Sequence, residues 1–210
     1  MLKVVDYGAG NLFSLANALK YLNIEYAFAR DAEELAGGEG ILLPGVGAFP
    51  EAMRMLGERG FPDALKCSKV PVLGICLGMQ LLFERSEEFG ICAGLGLIPG
   101  EVKRITGEVA VPHMGWNSLS YRADSPITRG IAEGSYVYFV HSYRAVCGEE
   151  YVPAYAEYGQ EIPAVVQDSL RRVFGCQFHP EKSGSAGLAM LENFAAFCRE
   201  VSPKNLKSTT

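Results

Sequence analysis

The stretch Val72-Leu73-Gly74-Ile75-Cys76-Leu77-Gly78-Met79-Gln80-Leu81-Leu82 sets one cysteine between two apolar runs, with a glycine two residues before it and another two after. A free cysteine is most often a small buried hydrophobe. The punctuation here argues otherwise. Pro71 to Ile75 has the continuous apolar character of a buried strand, Met79 to Arg85 has helical spacing, and Cys76 falls at the junction. Small residues bracketing a nucleophile at a strained strand-to-helix turn are the layout of a nucleophile elbow, here with cysteine in the place of serine. A thiol at a helix start also gains from the positive end of the peptide dipoles, which favours thiolate.

The neighbouring sequence repeats the strand-and-helix alternation. Strand-like Leu2 to Asp6 is followed by Leu12 to Leu22, apolar at 12, 15, 16, 19 and 22, then by strand-like Tyr26 to Ala29, Gly40 to Leu43 and Val70 to Ile75. Such alternation predicts a parallel sheet covered by helices. From about Glu101 the texture changes to successive strands: Val102 to Ile105, Trp116 to Tyr121, Tyr136 to His141, Ala154 to Tyr158, Ala164 to Gln167 and Val173 to Phe178. A last helix is predicted over Ala186 to Phe197. The fold expected is therefore α/β, with a central, mostly parallel sheet flanked by helices and antiparallel strands added in the second half. Residues 1–201 make one domain, and the polar residues 202–210 a loose tail.

Composition narrows the function. Of 210 residues, 49% are hydrophobic and 20% charged, and no apolar run reaches the length of a membrane span. The N-terminus enters a strand directly without a signal-peptide pattern, which predicts a cytoplasmic protein. The six cysteines form no C-x-x-C pair and the three histidines no H-x-x-x-H, so neither a metal site nor a disulfide framework is expected. A net charge of −5 without a basic cluster argues against nucleic acid or an anionic membrane as partner. No cofactor is expected either: Gly8-Ala9-Gly10 has Phe13 where a dinucleotide fingerprint wants glycine, and no lysine follows Pro44-Gly45-Val46-Gly47 at phosphate-loop spacing.

A reactive thiol needs a base, and the candidates are His113, His141 and His179. His179 follows a strand-like run and opens His179-Pro180-Glu181. Residues two apart in extended chain face the same side, and Pro180 stiffens the geometry. A carboxylate at Glu181 can orient the imidazole and stabilise its cation. The third element is Ile41-Leu42-Leu43-Pro44-Gly45-Val46-Gly47, a strand running into glycines whose amides can turn outward as oxyanion donors.

These three motifs, in this order, resemble class I (triad-type) glutamine amidotransferases. With Asp6-Tyr7-Gly8-Ala9-Gly10-Asn11, Pro112-His113-Met114-Gly115-Trp116-Asn117 and Tyr138-Phe139-Val140-His141-Ser142-Tyr143, the chain is similar over nearly its full length to the glutaminase subunits of imidazole glycerol phosphate synthases. The resemblance implies the class I amidotransferase fold and a triad of Cys76, His179 and Glu181. It implies an oxyanion site from the backbone of Val46, Gly47 and Leu77, and glutamine contacts from Gln80, Glu88, Ser142 and Tyr143. Among Glu84, Glu87 and Glu88, the sequence pattern alone reads as a solvated acidic stretch. The resemblance also implies a (β/α)8 cyclase subunit as heterodimeric partner, receiving ammonia at a face that includes Trp116, Asn117, Tyr138 and Lys182. Two rivals remain at this point: a glutaminase subunit serving anthranilate, aminodeoxychorismate or pyridoxal phosphate synthesis, and a non-enzymatic flavodoxin-like or thiol-sensing module.

Overall fold

The computed structural model describes residues 1–170 and 172–202. In chain order the first half runs β1 (Leu2–Val5), α1 (Leu12–Tyr21), β2 (Tyr26–Ala29), β3 (Gly40–Gly45), α2 (Phe49–Glu58), α3 (Phe61–Lys66), β4 (Val72–Cys76) and α4 (Leu77–Gln80). Strands dominate the remainder: β5 (Arg85–Ser86), β6 (Cys92–Ala93), β7 (Glu101–Arg104), β8 (His113–Ser118), β9 (Ser120–Tyr121), β10 (Tyr136–His141), β11 (Tyr143–Val146), β12 (Ala154–Glu157), β13 (Glu161–Gln167) and β14 (Val173–Cys176). Helix α5 (Gly184–Glu200) closes the described chain.

The main sheet has the order β2-β1-β3-β4-β14-β13-β12-β9. Its first five strands are parallel, and β13, β12 and β9 extend it antiparallel. The parallel half is buried on both faces, which is why β3 and β4 read as unbroken apolar runs rather than as alternation. Two core clusters, one gathering α1 and α5 and the other α2 and α3, hold the residues of the sheet between them. Helix α5 turns Gly187, Met190, Leu191, Phe194, Ala195 and Cys198 inward, a stripe at helical spacing. Smaller sheets, β10-β8 and β11-β7-β5-β6, carry the loops that surround the end of β4.

Three expectations need correction. The helix after Cys76 is a single turn that stops at Gln80, not a run to Arg85. Leu81, Leu82 and Phe83 are fully buried, and their carbonyls accept from Leu95, Leu97, Ile98 and Gly96, so tertiary hydrogen bonds replace the helical ladder. The run Trp116 to Tyr121 is two strands, because β8 pairs with β10 while β9 joins β12 of the main sheet. Helices α2 and α3 are additions to the expected elements; each starts with a proline in its first turn and turns two or three apolar side chains inward. The tail expected at 202–210 falls outside the described residues from position 203 on, and Ser202 is buried. Among the described residues, no helix is long and apolar enough to cross a membrane.

Candidate active site

The elbow is built by close backbone packing. Cys76 ends β4 at φ +55° and ψ −110°, a conformation that side chains rarely adopt and that persists only where the surroundings enforce it. The flanking glycines are what enforce it. A Cβ on Gly78 would lie 1.8 Å from the Leu43 carbonyl oxygen of β3, and one on Gly74 would lie 2.5 Å from the Gly78 carbonyl oxygen. The turn can therefore press onto the neighbouring strand only without side chains at these two positions.

His179 reaches the buried thiol from the end of β14. Its ring lines the same cavity as Cys76, and its Nδ1 lies 2.8 Å from Glu181 Oε1. The extended chain stops at His179; Pro180–Lys182 form a 3-10 turn, so Glu181 returns to the imidazole by a turn rather than along a strand. This turn is fastened by the Ser183 hydroxyl donating to the His179 carbonyl (2.6 Å) and by His179 N–H donating to the Tyr138 carbonyl (3.0 Å). Burial opposes charge on the ring, but neighbouring Cys76 and the hydrogen-bonded Glu181 carboxylate push His179 up to about 10. His179 is therefore an imidazolium at neutral pH, next to the sulfur.

The other histidines are not bases for Cys76. Both nitrogens of His141 are engaged, Nδ1 with the Tyr143 carbonyl (2.8 Å) and Nε2 with His113 (3.1 Å). Burial first, and then neighbouring His113 and His179, hold His141 down at about 3, although the Tyr143 carbonyl works the other way. Burial alone holds His113 at about 4.

A cavity of about 360 Å³ opens over the thiol. Its wall brings together Val46, Gly47, Cys76, Leu77, Gln80, Glu88, Ser142, Tyr143, His179 and Lys182, residues spread across the chain. A larger cavity of about 630 Å³, around Tyr121 to Ile131, holds none of them and lies away from the chemistry. Of the three neighbouring glutamates only Glu88 lines the site, where its Oε2 accepts from Phe49 N (2.8 Å). Glu84 instead accepts from Gly100 N and Glu87 pairs with Lys103. Gln80 is fixed by donating to the Tyr143 carbonyl (2.9 Å) and to Gln177 Oε1 (3.1 Å). Gly47, at φ +96° with open space where a Cβ would stand, and half-exposed Val46 leave the β3 end free to present amides to the cavity. Among the described residues no cluster of three or more histidine, cysteine or carboxylate groups is arranged to hold a metal.

The face assigned to a partner divides. Strands β8 and β10 alternate strictly: Met114, Trp116 and Tyr136 are exposed, whereas His113, Val137, Phe139 and His141 are buried. Trp116 is 55% exposed and packs edge-on against Tyr138 at 6.0 Å. Asn117, the next residue, must point the other way, and its side-chain amide donates inward to the Glu157 carbonyl (2.8 Å). Trp116 and Asn117 thus turn their side chains to opposite faces of β8.

Sequence reasoning missed Gln177. It is fully buried, accepts from Gln80 and approaches Cys76 Sγ to 3.9 Å. The one signal in the sequence is a lone amide in an apolar strand, two residues before His179.

An elbow cysteine, an imidazole paired with a glutamate, and a cavity walled by the end of the adjacent parallel strand are the layout of a thiol-dependent hydrolase site. The sequence matches the glutamine amidotransferase class-I family over residues 3–197, and the chain belongs to that family. Within it, the chain is 49% identical to the imidazole glycerol phosphate synthase subunit HisH of Bacillus cereus (strain G9842), covering 92% of this chain and 93% of the relative. It is 46% identical to the subunit of the same name from Bacillus anthracis (strain A0248), over the same shares. Solved structures share the fold at low identity. A glutamine amidotransferase superposes with a TM-score of 0.73 at 21% identity, covering 94% of this chain and 98% of that one. PurLQS from Thermotoga maritima gives 0.69 at 20%, covering 93% and 97%.

Proposed function

We infer that this chain is the glutaminase subunit of an imidazole glycerol phosphate synthase. The observation that carries the chemistry is the buried His179, paired with Glu181 and sharing one cavity wall with Cys76. The identity to the HisH subunits carries the assignment among amidotransferases.

The reaction follows from where the protons are. Cys76 sulfur, as thiolate beside the imidazolium, attacks the side-chain amide carbon of L-glutamine. The tetrahedral oxyanion is held by backbone amides of Val46 or Gly47 and of Leu77, each donor being worth about 10²–10³ in rate. His179 gives its proton to the departing nitrogen as the C–N bond breaks, leaving ammonia and a thioester on Cys76. The now neutral His179 takes a proton from water, whose oxygen attacks the thioester carbon. The C–S bond breaks, glutamate leaves, and the proton is restored to the pair. Glu181 keeps its hydrogen bond to Nδ1 throughout, which leaves the other ring nitrogen aimed at the sulfur. Gln80, Glu88, Ser142 and Tyr143 form the wall that receives the α-amino and α-carboxylate groups.

The ammonia acceptor is a (β/α)8 cyclase subunit, docked on the face that carries Trp116, Tyr138 and Lys182. Exposed aromatic side chains beside a lysine at the cavity rim suit a protein interface. Gly47, with open space around it, lets the peptide planes at the end of β3 turn toward or away from the substrate, so a partner that favours the donor-in arrangement switches the site on. Steady-state glutamate production by the chain alone, by its complex with the cyclase, and by the complex with its ribotide substrate tests this. Rates are expected to rise in that order, the last by at least about 10²-fold, the worth of one oxyanion donor. Equal rates in all three would remove the switch.

A further inference from the structure

A continuous polar chain lies behind the cavity wall. Asn117 Nδ2 is 3.4 Å from His113 Nε2, His113 Nδ1 is 3.1 Å from His141 Nε2, and His141 Nδ1 is 2.8 Å from the Tyr143 carbonyl oxygen. That same oxygen accepts from Gln80 Nε2 at 2.9 Å, and Gln80 donates onward to Gln177, the neighbour of Cys76. The direction of every link is forced. A carbonyl oxygen only accepts, so His141 Nδ1 carries the hydrogen and its Nε2 accepts. His113 must then donate from Nδ1, which leaves its Nε2 to accept from Asn117, whose amide nitrogen only donates. An added proton on His141 Nε2 would face the His113 Nδ1–H across 3.1 Å, and one on His113 Nε2 would face the Asn117 amide N–H at 3.4 Å.

The rings have little freedom to do anything else. His113 is stacked between Phe139 at 4.6 Å and Tyr158 at 3.9 Å, and the Tyr158 hydroxyl is tied to the Ala110 carbonyl (2.8 Å). Burial keeps both imidazoles neutral, in agreement with the single hydrogen each link needs.

We propose that His113 and His141 are positioning residues for glutamine: a one-directional pair of neutral imidazoles that clamps the Tyr143 carbonyl, and with it Gln80, at the cavity wall. Asn117 anchors the pair from the inward face of the strand whose outward face carries Trp116, so the wall and the docking face share one strand. Neither ring is asked to exchange a proton with substrate. Loss of the clamp frees the Tyr143 carbonyl and Gln80 to rotate, which weakens glutamine binding more than it slows the sulfur chemistry.

The inference rests on the glutaminase reading, and the test separates the two. In the complex with the cyclase and its ribotide, His141→Leu is expected to raise the glutamine KM at least about tenfold with kcat within about threefold. His141→Asn, whose amide nitrogen falls where Nδ1 stands, is expected to recover most of that loss. A KM unchanged in His141→Leu, or raised equally in His141→Asn, overturns the clamp while wild-type turnover leaves the glutaminase reading intact. No glutamine turnover by the wild-type complex overturns the reading itself. Nitrogen-15 NMR of the wild-type chain provides a readout independent of the variants' folding. Both His113 and His141 are expected as neutral Nδ1–H tautomers at pH 7, whereas an Nε2–H tautomer or a charged ring at either position contradicts the forced direction.

Discussion

Replacing Gly78 by alanine adds one methyl group at the tightest point of the elbow. Built on the existing backbone, that carbon lies 1.8 Å from the Leu43 carbonyl oxygen, about half an ordinary contact, and 2.8 Å from the Leu43 carbonyl carbon. Neither partner yields easily, because Leu43 belongs to β3, a fully buried central strand paired with β4 through Leu43 and Gly74. The clash must therefore be relieved by lifting the turn that carries Cys76 off the strand by more than about 1 Å. Forced overpacking costs about 1–3 kcal/mol, which in a domain of this size lowers Tm by roughly 2–12 °C. A displacement of about 1 Å in a catalytic group can cost about 10²-fold, so kcat/KM for glutamine is expected to fall at least that far. Gly57 is the matched control. It is an exposed residue of α2 with open space where a Cβ would stand, and Gly57→Ala is expected to gain about 0.5–1 kcal/mol with unchanged turnover. Thermal unfolding and glutamate release in the cyclase complex measure both. Wild-type Tm and turnover in Gly78→Ala would refute the claim that backbone packing on β3 sets the elbow.

A diazo-oxo-norleucine glutamine analogue should modify Cys76 and spare the other five thiols, read by mass spectrometry of the labelled peptide; predominant labelling elsewhere would sink the nucleophile assignment. Glu181→Gln should lower turnover by about 10²–10⁴-fold and move the alkaline limb of the pH–rate profile to lower pH. The sign follows from His179 being raised from its ordinary value to about 10: the stability gained from its cation is full below about pH 6.5 and is lost as pH rises through about 10. An alkaline limb that stays in place would dissociate Glu181 from the titration. Trp116→Ala should weaken cyclase binding by about 1–3 kcal/mol, the range of an aromatic anchor, measured by calorimetry, and leave the fold intact because the ring is 55% exposed; unchanged affinity would move the interface elsewhere.

The parts of this site legible in the sequence are those fixed by local chemistry. Glycines at 74 and 78 announce a turn too tight for side chains, and His179 with Glu181 announces a supported imidazole, although a 3-10 turn and not the extended spacing brings the two together. The parallel half of the sheet is legible for a related reason, since strands buried on both faces must be apolar throughout. What escaped depends on distant partners. The helix after Cys76 looks longer than one turn because Leu81, Leu82 and Phe83 are apolar, yet their carbonyls are claimed by residues 95–98. The bonds of Asn117 to His113 and Glu157 form only once β8 is set beside β10 and the Glu157 carbonyl is brought to it. Gln177 carries no motif, and its place beside Gln80 and Cys76 exists only once β14 is set against β4.

The division of labour between this chain and a cyclase is tested most directly by Cys76→Ala in the assembled complex, with formation of imidazole glycerol phosphate followed separately from glutamine and from ammonium salt. Without a sulfur nucleophile, glutamine-dependent synthesis is expected to vanish while ammonium-dependent synthesis continues at the wild-type rate, because the second chemistry belongs to the partner. Synthesis from glutamine persisting in Cys76→Ala, or loss of both activities in a correctly assembled complex, would contradict that division.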